Sequence, residues 1–115
     1  MSLEIGQKEV KPGVVVVTLA GRVMLGAESA QIEALVEKAL AEGRRHVIFD
    51  LAGVTHIDST GIGRFISGLN KVRQVGGSLR MAAASGQVRD AFRVTRLDTV
   101  FKFFADTEAA LQGLG

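Results

Sequence analysis

The sequence predicts a single α/β domain over residues 1–115, a mixed, mostly parallel β-sheet with helices packed on it that opens with a β-hairpin. Three observations carry that prediction. Two apolar stretches near the N-terminus are separated by the turn residues Lys11-Pro12-Gly13. Helix-period stripes then alternate with short apolar runs, the pattern of parallel strands joined by right-handed crossovers. Finally, His46-Val47-Ile48-Phe49-Asp50-Leu51 is nearly continuous in apolar character, as expected of a strand buried on both faces.

Taken in order, Leu3 and Ile5 alternate with polar neighbours, and Val14 to Leu19 form a β-branched run, giving the opening hairpin. From Ala27 to Glu42, Ile32, Leu35, Val36, Ala39 and Leu40 recur at helical spacing, and Gly43 supplies the stop. The central strand, His46 to Leu51, is followed by a polar stretch read as a loop that contains His56. Ile62, Phe65, Ile66, Leu69 and Val72 then resume a helical stripe ended by Gly76-Gly77. Ser78 to Ala84 reads as a strand, and Val88, Ala91 and Phe92 mark a short helix beginning near Gln87. Phe101 and Phe103 alternate as a last strand, and Asp106 caps a final helix through Leu111. The predicted order is β-β-α-β-α-β-α-β-α.

Composition narrows the functional classes. Hydrophobic residues make up 47% and charged residues 23% of the 115, so a packed core is expected and a wholly disordered chain is excluded. The net charge of +2, with no Trp, no Tyr and six Phe, gives little for nucleic-acid binding beyond Arg89, Arg93 and Arg96 on one predicted helix face. The chain has no cysteine, which excludes disulfides and thiolate chemistry and fits a reducing compartment. Neither a secretory leader nor a run of about 18 apolar residues is legible, so a soluble, cytoplasmic protein is expected. Met1, Ser2 and Leu3 carry no functional weight.

The densest information lies in Asp50-Leu51-Ala52-Gly53-Val54-Thr55-His56-Ile57-Asp58-Ser59-Thr60-Gly61-Ile62-Gly63. Asp58, Ser59 and Thr60 each suit a helix N-cap, where a side-chain oxygen accepts from unpaired backbone N–H groups. A hydroxyl there has a second property, because a helix N-terminus favours an attached phosphate. Capping and switching both remain open on these residues alone. Gly61 and Gly63 would leave the surface beside the hydroxyl low enough for another protein to approach.

The run Val47-Ile48-Phe49-Asp50-Leu51, then Val54, Ile57 and Asp58-Ser59-Thr60-Gly61-Ile62-Gly63, resembles the signature region of STAS domains of the anti-sigma factor antagonist type. The resemblance implies that Ser59 is the phosphorylation site, modified by a partner anti-sigma factor that is itself a serine kinase. It further implies a partner-binding segment of Asp58, Ser59, Thr60, Gly61, Ile62, Gly63 and Arg64, with Asp58 orienting the loop and assisting the transfer. Thr60 is then a supporting cap or a secondary acceptor, and Arg64 a contact for phosphate or partner. On this reading the unphosphorylated protein binds the anti-sigma factor and frees a sigma factor, and phosphorylation breaks the complex. One departure stands out: where family members often carry Gly-x-Leu/Val-Asp, this chain reads Gly21-Arg22-Val23-Met24. The alternative is a constitutive STAS interaction subunit of a signalling assembly or transporter, without a phosphorylation cycle.

Catalysis is not expected. His56, Asp58 and Ser59 supply the residue types of a nucleophilic triad, but triads draw their geometry from separate elements. The serine is not in Gly-x-Ser-x-Gly, and His46 and His56 lack metal-ligand spacing. Gly61-Ile62-Gly63 lacks the third glycine of a dinucleotide fingerprint. No metal and no cofactor are expected.

Overall fold

The computed structural model describes residues 3–114. It contains β1 (Leu3–Lys11), β2 (Val14–Val23), α1 (Ala27–Ala41), β3 (His46–Ile57), α2 (Ser59–Gln74), β4 (Ser78–Ala82), α3 (Gly86–Val94), β5 (Lys102–Phe104) and α4 (Thr107–Ala110). Met1 and Ser2 lie outside the described residues; Leu3 pairs with Gly21 and is buried.

The five strands form one sheet in the order β1-β2-β3-β4-β5, with β1 antiparallel to β2 and every other pair parallel. Side chains alternate between the two faces of a strand, and β3 shows the consequence. Val47, Phe49 and Leu51 join the main core with Ile32 and Val36 of α1, Phe65 and Val72 of α2, and Val88 and Phe92 of α3. Ile48 points the other way, into a smaller cluster with Val14, Ala82, Ala110 and Leu114. Aromatic rings link the elements of the main core. Phe49 and Phe65 meet edge to face at 5.0 Å, and Phe92 lies 5.3 Å from both Phe101 and Phe103.

Two departures from expectation matter for the site. β3 does not stop at Leu51 but runs to Ile57, alongside a β2 that reaches Val23. Register shifts between Thr18 and Ala20 and between Gly21 and Arg22 interrupt the two-residue period, which makes the segment read as a loop. At the first shift the strands come so close that a Cβ on Gly53 would lie 2.9 Å from Ala20 Cβ. His56 is consequently a strand residue opposite Arg22. At the other end, Phe101 precedes β5 as a buried residue, while Lys102–Phe104 form the strand.

Candidate functional site

The extension of β3 delivers the chain to the N-terminus of α2 at the level where β2 ends. Asp58 is the hinge between the two elements. Its backbone is extended (φ −115°, ψ −176°), its N–H donates to Val23 O at 3.3 Å, and its carbonyl accepts the N–H of Ile62 at 2.9 Å. Asp58 Oδ1 accepts from the Gly61 N–H at 2.8 Å, the geometry of an N-cap. Its Oδ2 accepts from the Leu25 N–H at 2.9 Å, across 33 residues of sequence. Burial pushes the Asp58 carboxyl up, but backbone N–H groups of Gly61, Leu25, Asp58 itself and Thr60 outweigh it and hold the group below the usual range.

Ser59, the first residue of α2, is exposed, and no described group hydrogen-bonds its hydroxyl. Thr60 is half-buried beside it. The Asp58 carboxylate already occupies the anion-favouring position at the helix start.

The neighbouring residues divide. Gly63 is exposed, and a Cβ there would meet nothing within 4 Å. Gly61 and Ile62 are buried, which corrects their expected place on the partner surface. Gly61 is small because α2 starts against the end of β2: a Cβ would lie 2.0 Å from Val23 O. Ile62 packs into the main core.

Arg64 faces α1. Its Nε donates to Ser29 Oγ at 3.1 Å, one terminal nitrogen to Glu33 Oε1 at 3.0 Å and the other to Gly26 O at 3.4 Å. Glu33 Oε2 takes the Ser67 hydroxyl at 2.7 Å, and Lys71 Nζ donates to that same hydroxyl at 3.1 Å. The hydrogen bonds from Ser67 and Arg64 hold the Glu33 carboxyl low. Arg64 is thereby a clasp between α1 and α2.

The turn from β2 into α1 contributes residues that the motif gave no reason to select. A groove of about 390 Å³ is lined by Arg22, Met24, Leu25, Gly26, Ala27, Glu28 and Asp58. Met24, at the position of the missing acid, lies on its wall. Leu25 is 78% exposed. An apolar residue outside any helical stripe, immediately before a helix, was the available signal for it.

The remaining sequence candidates fall elsewhere. His56 Nδ1 lies 2.9 Å from Thr55 Oγ1, and both Asp58 oxygens are committed to backbone N–H groups, so no relay runs from His56 through Asp58 to Ser59. His46 Nδ1 lies 2.8 Å from Ser78 Oγ. The three arginines around α3 do not form one stripe. Arg89 stacks over Phe103 at 4.6 Å, Arg93 pairs with Asp90 at 2.8 Å, and Arg96 follows the helix with φ +62°. No helix among the described residues is long and apolar enough to cross a membrane.

Known proteins share this arrangement. The family description "STAS domain" matches residues 7–110. The anti-sigma-B factor antagonist of Bacillus subtilis (strain 168) is 30% identical over 96 residues, spanning 84% of this chain and 86% of that one. The anti-sigma factor antagonist SpoIIAA in its unphosphorylated form superposes with a TM-score of 0.81 at 22% identity, over 95% of each chain. A sulfate transporter family protein from Wolinella succinogenes gives a TM-score of 0.78 at 19% identity, over 90% of this chain and 86% of that one. The two structural likenesses are likenesses of fold, shared by proteins of different roles. The match over residues 7–110 and the relative that is 30% identical establish the identity at family level: the chain belongs to the STAS domain family.

Proposed function

We propose that this protein is an anti-sigma factor antagonist, working in the cytoplasm, that binds an anti-sigma factor with serine kinase activity and is released when Ser59 is phosphorylated. It thereby regulates sigma-factor-dependent transcription by partner switching. The observation that supports this reading best is the exposed, uncommitted hydroxyl of Ser59 on the first turn of α2, next to a carboxylate already satisfied by the backbone. The protein is substrate and ligand, not catalyst. The kinase transfers the terminal phosphoryl group of ATP to Ser59 Oγ, ADP leaves, and a base of the kinase takes the hydroxyl proton.

Phosphorylation brings about −1.5 to −2 charges to this surface. A unit-charge repulsion at close range near a protein surface is about 4 kcal/mol, which weakens association about a thousandfold. The docking surface consists of Ser59 and Gly63 on α2, continued across the groove by Met24 and Leu25. Gly61, Ile62 and Arg64 hold that surface in place from below. With Met24 where an acid is common in the family, the groove wall favours an apolar partner side chain over a basic one.

The test is affinity capture from source cells with wild-type, Ser59→Ala and Ser59→Asp proteins, together with phosphosite mapping by mass spectrometry. An anti-sigma factor kinase retained by Ser59→Ala, lost with Ser59→Asp, and phosphate on Ser59 are the expected results. The same partners on all three proteins and no phosphate would overturn the reading and leave a constitutive interaction subunit.

A further inference from the structure

β1 lies at the end of the sheet, so one of its long edges has no neighbour. Which backbone groups it leaves open follows from the strand beside it. His46 N–H donates to Gly13 O at 3.1 Å, and successive residues of a strand point their backbone groups to opposite sides. Gly13, Val15 and Val17 therefore turn toward β3, and Val16 and Thr18 turn toward β1. Their partners across the hairpin, Lys8 and Gly6, are the bonded residues of β1, as is Glu4 opposite Ala20. Leu3, Ile5, Gln7 and Glu9 are left with outward N–H and C=O groups, and no backbone bond outside the ladder reaches them among the described residues.

An open edge of this kind is a template for another strand, and three of its features are symmetric about Gly6. Pairing with β2 is regular from Leu3 to Glu9 and shifts before Lys11, so Gly6 is the midpoint of the straight stretch. Glu4 and Lys8 stand at equal distances on either side of it, both exposed, on the face away from the main core, and neither forms a salt bridge among the described residues. Gly6 itself has no reason within the protomer to be glycine: its φ lies outside the left-handed region, and a Cβ there would meet nothing within 4 Å. Glycine weakens a strand interior, and one use that offsets the cost is the close approach of another backbone. On the helix side, a groove of about 360 Å³ lies beside the same edge, lined by Ile5, Gln7, Gln31, Ala34, Leu35 and Lys38, with no carboxylate among them.

We propose that β1 pairs antiparallel with β1 of a second copy of this chain, about a two-fold axis at Gly6, so that two sheets join into one. In this register Ile5 exchanges backbone hydrogen bonds with Gln7 of the second copy, and Leu3 with its Glu9, which uses every outward group of the straight stretch. Glu4 faces the second copy's Lys8, and Lys8 faces its Glu4, with Cβ atoms about 4.5–5.5 Å apart, close enough for cross-strand ion pairs. Sliding by two residues in either direction sets Glu4 or Lys8 against Gly6 and removes both pairs. The lysine that guards an edge against indiscriminate pairing thereby selects one register. On the helix side the second copy's Gln7 comes beside Ile5, where the two grooves become continuous.

The test is sedimentation equilibrium of the full chain, with amide hydrogen exchange followed by NMR at the same concentrations. Wild type should show a reversible monomer–dimer equilibrium, with exchange at Ile5, Gln7 and Glu9 slowing as the dimer fills. Lys8→Glu turns both ion pairs into carboxylate pairs and should raise the dissociation constant about tenfold, and the double variant Glu4→Lys/Lys8→Glu should return it to the wild-type value. Gln7→Pro removes an outward donor and leaves the hairpin ladder intact, so it should give a folded monomer, with unchanged amide shifts beyond β1 verifying the fold. A wild type still monomeric at about 1 mM, or a dimer unaffected by Gln7→Pro or by Lys8→Glu, would overturn the proposal. A dimer that the double variant fails to restore would overturn the register. None of these outcomes bears on Ser59.

Discussion

Alanine at Gly61 and alanine at Gly63, two residues apart on one helix, should move stability in opposite directions. At Gly61 the new Cβ would stand 2.0 Å from Val23 O, 2.8 Å from Val23 C and 3.0 Å from Val23 Cγ1. Two of those atoms are backbone and cannot rotate away, so relief requires α2 to lift from the end of β2. Overpacking of this kind costs about 1–3 kcal/mol. Lifting the helix also stretches the Asp58 N–H to Val23 O bond, already 3.3 Å long, at a cost of about 1 kcal/mol. The better helix propensity of alanine returns about 1 kcal/mol, leaving a net loss of about 2 kcal/mol. At Gly63 a Cβ meets nothing within 4 Å, so only the propensity gain of about 0.5–1 kcal/mol remains. The chain has no Trp or Tyr, so urea unfolding is best followed by far-ultraviolet circular dichroism. The midpoint should fall for Gly61→Ala and rise for Gly63→Ala, with the slope m unchanged in both. A Gly61→Ala protein as stable as wild type would refute the packing argument, as would equal losses at the two positions.

Asp58→Asn leaves a single carbonyl oxygen where two carboxylate oxygens accepted, so either Leu25 N–H or Gly61 N–H loses its partner, at a cost of about 1–2 kcal/mol at pH 7. Because the folded pKa of Asp58 lies below its unfolded value, its contribution is present above about pH 4 and lost as pH falls through the folded pKa. The gap between wild type and Asp58→Asn in urea midpoint should therefore narrow between pH 7 and pH 3, and a gap independent of pH would contradict this account. For the α1–α2 clasp, a double-mutant cycle of Arg64→Ala and Glu33→Ala should give a coupling of only about 0.5–1 kcal/mol, since both side chains are partly exposed, at 23% and 30%. Adding 1 M salt should reduce that coupling, as surface charges are screened over about 3 Å at that concentration.

How much of this was legible beforehand follows from the range of each interaction. The α2 stripe from Ile62 to Val72 and a cap among Asp58, Ser59 and Thr60 depend on neighbours within a turn or two and were readable in the sequence; that Asp58 is the one came from the structure. The far half of β3 was not. Its pairing with β2 runs through two bulges, so Ala52, Gly53, Thr55 and His56 lose the alternation that identifies a strand. Gly61 was visible as a small residue, but the atom that requires it, Val23 O, is 38 residues away in the chain. Arg64 was legible as a cation near the motif, but its partners Ser29, Glu33 and Gly26 were not, because they reach it through the packing of α1 on α2. Leu25 carried a composition signal without a position. The second oxygen of Asp58 and the Arg64 bond to Gly26 O show that the turn before α1 belongs with the motif.

That second oxygen limits how the site can be transplanted. One carboxylate group closes the first turn of α2 and holds the β2–α1 turn, so the face around Ser59 is assembled from two stretches of chain 33 residues apart. A synthetic peptide covering residues 58–63 would carry every letter of the motif and still lack the Leu25 donor, the Val23 backstop and the groove wall. A partner or an antibody raised to the folded surface should ignore such a peptide, and one raised to the peptide should see the protein only when it is unfolded.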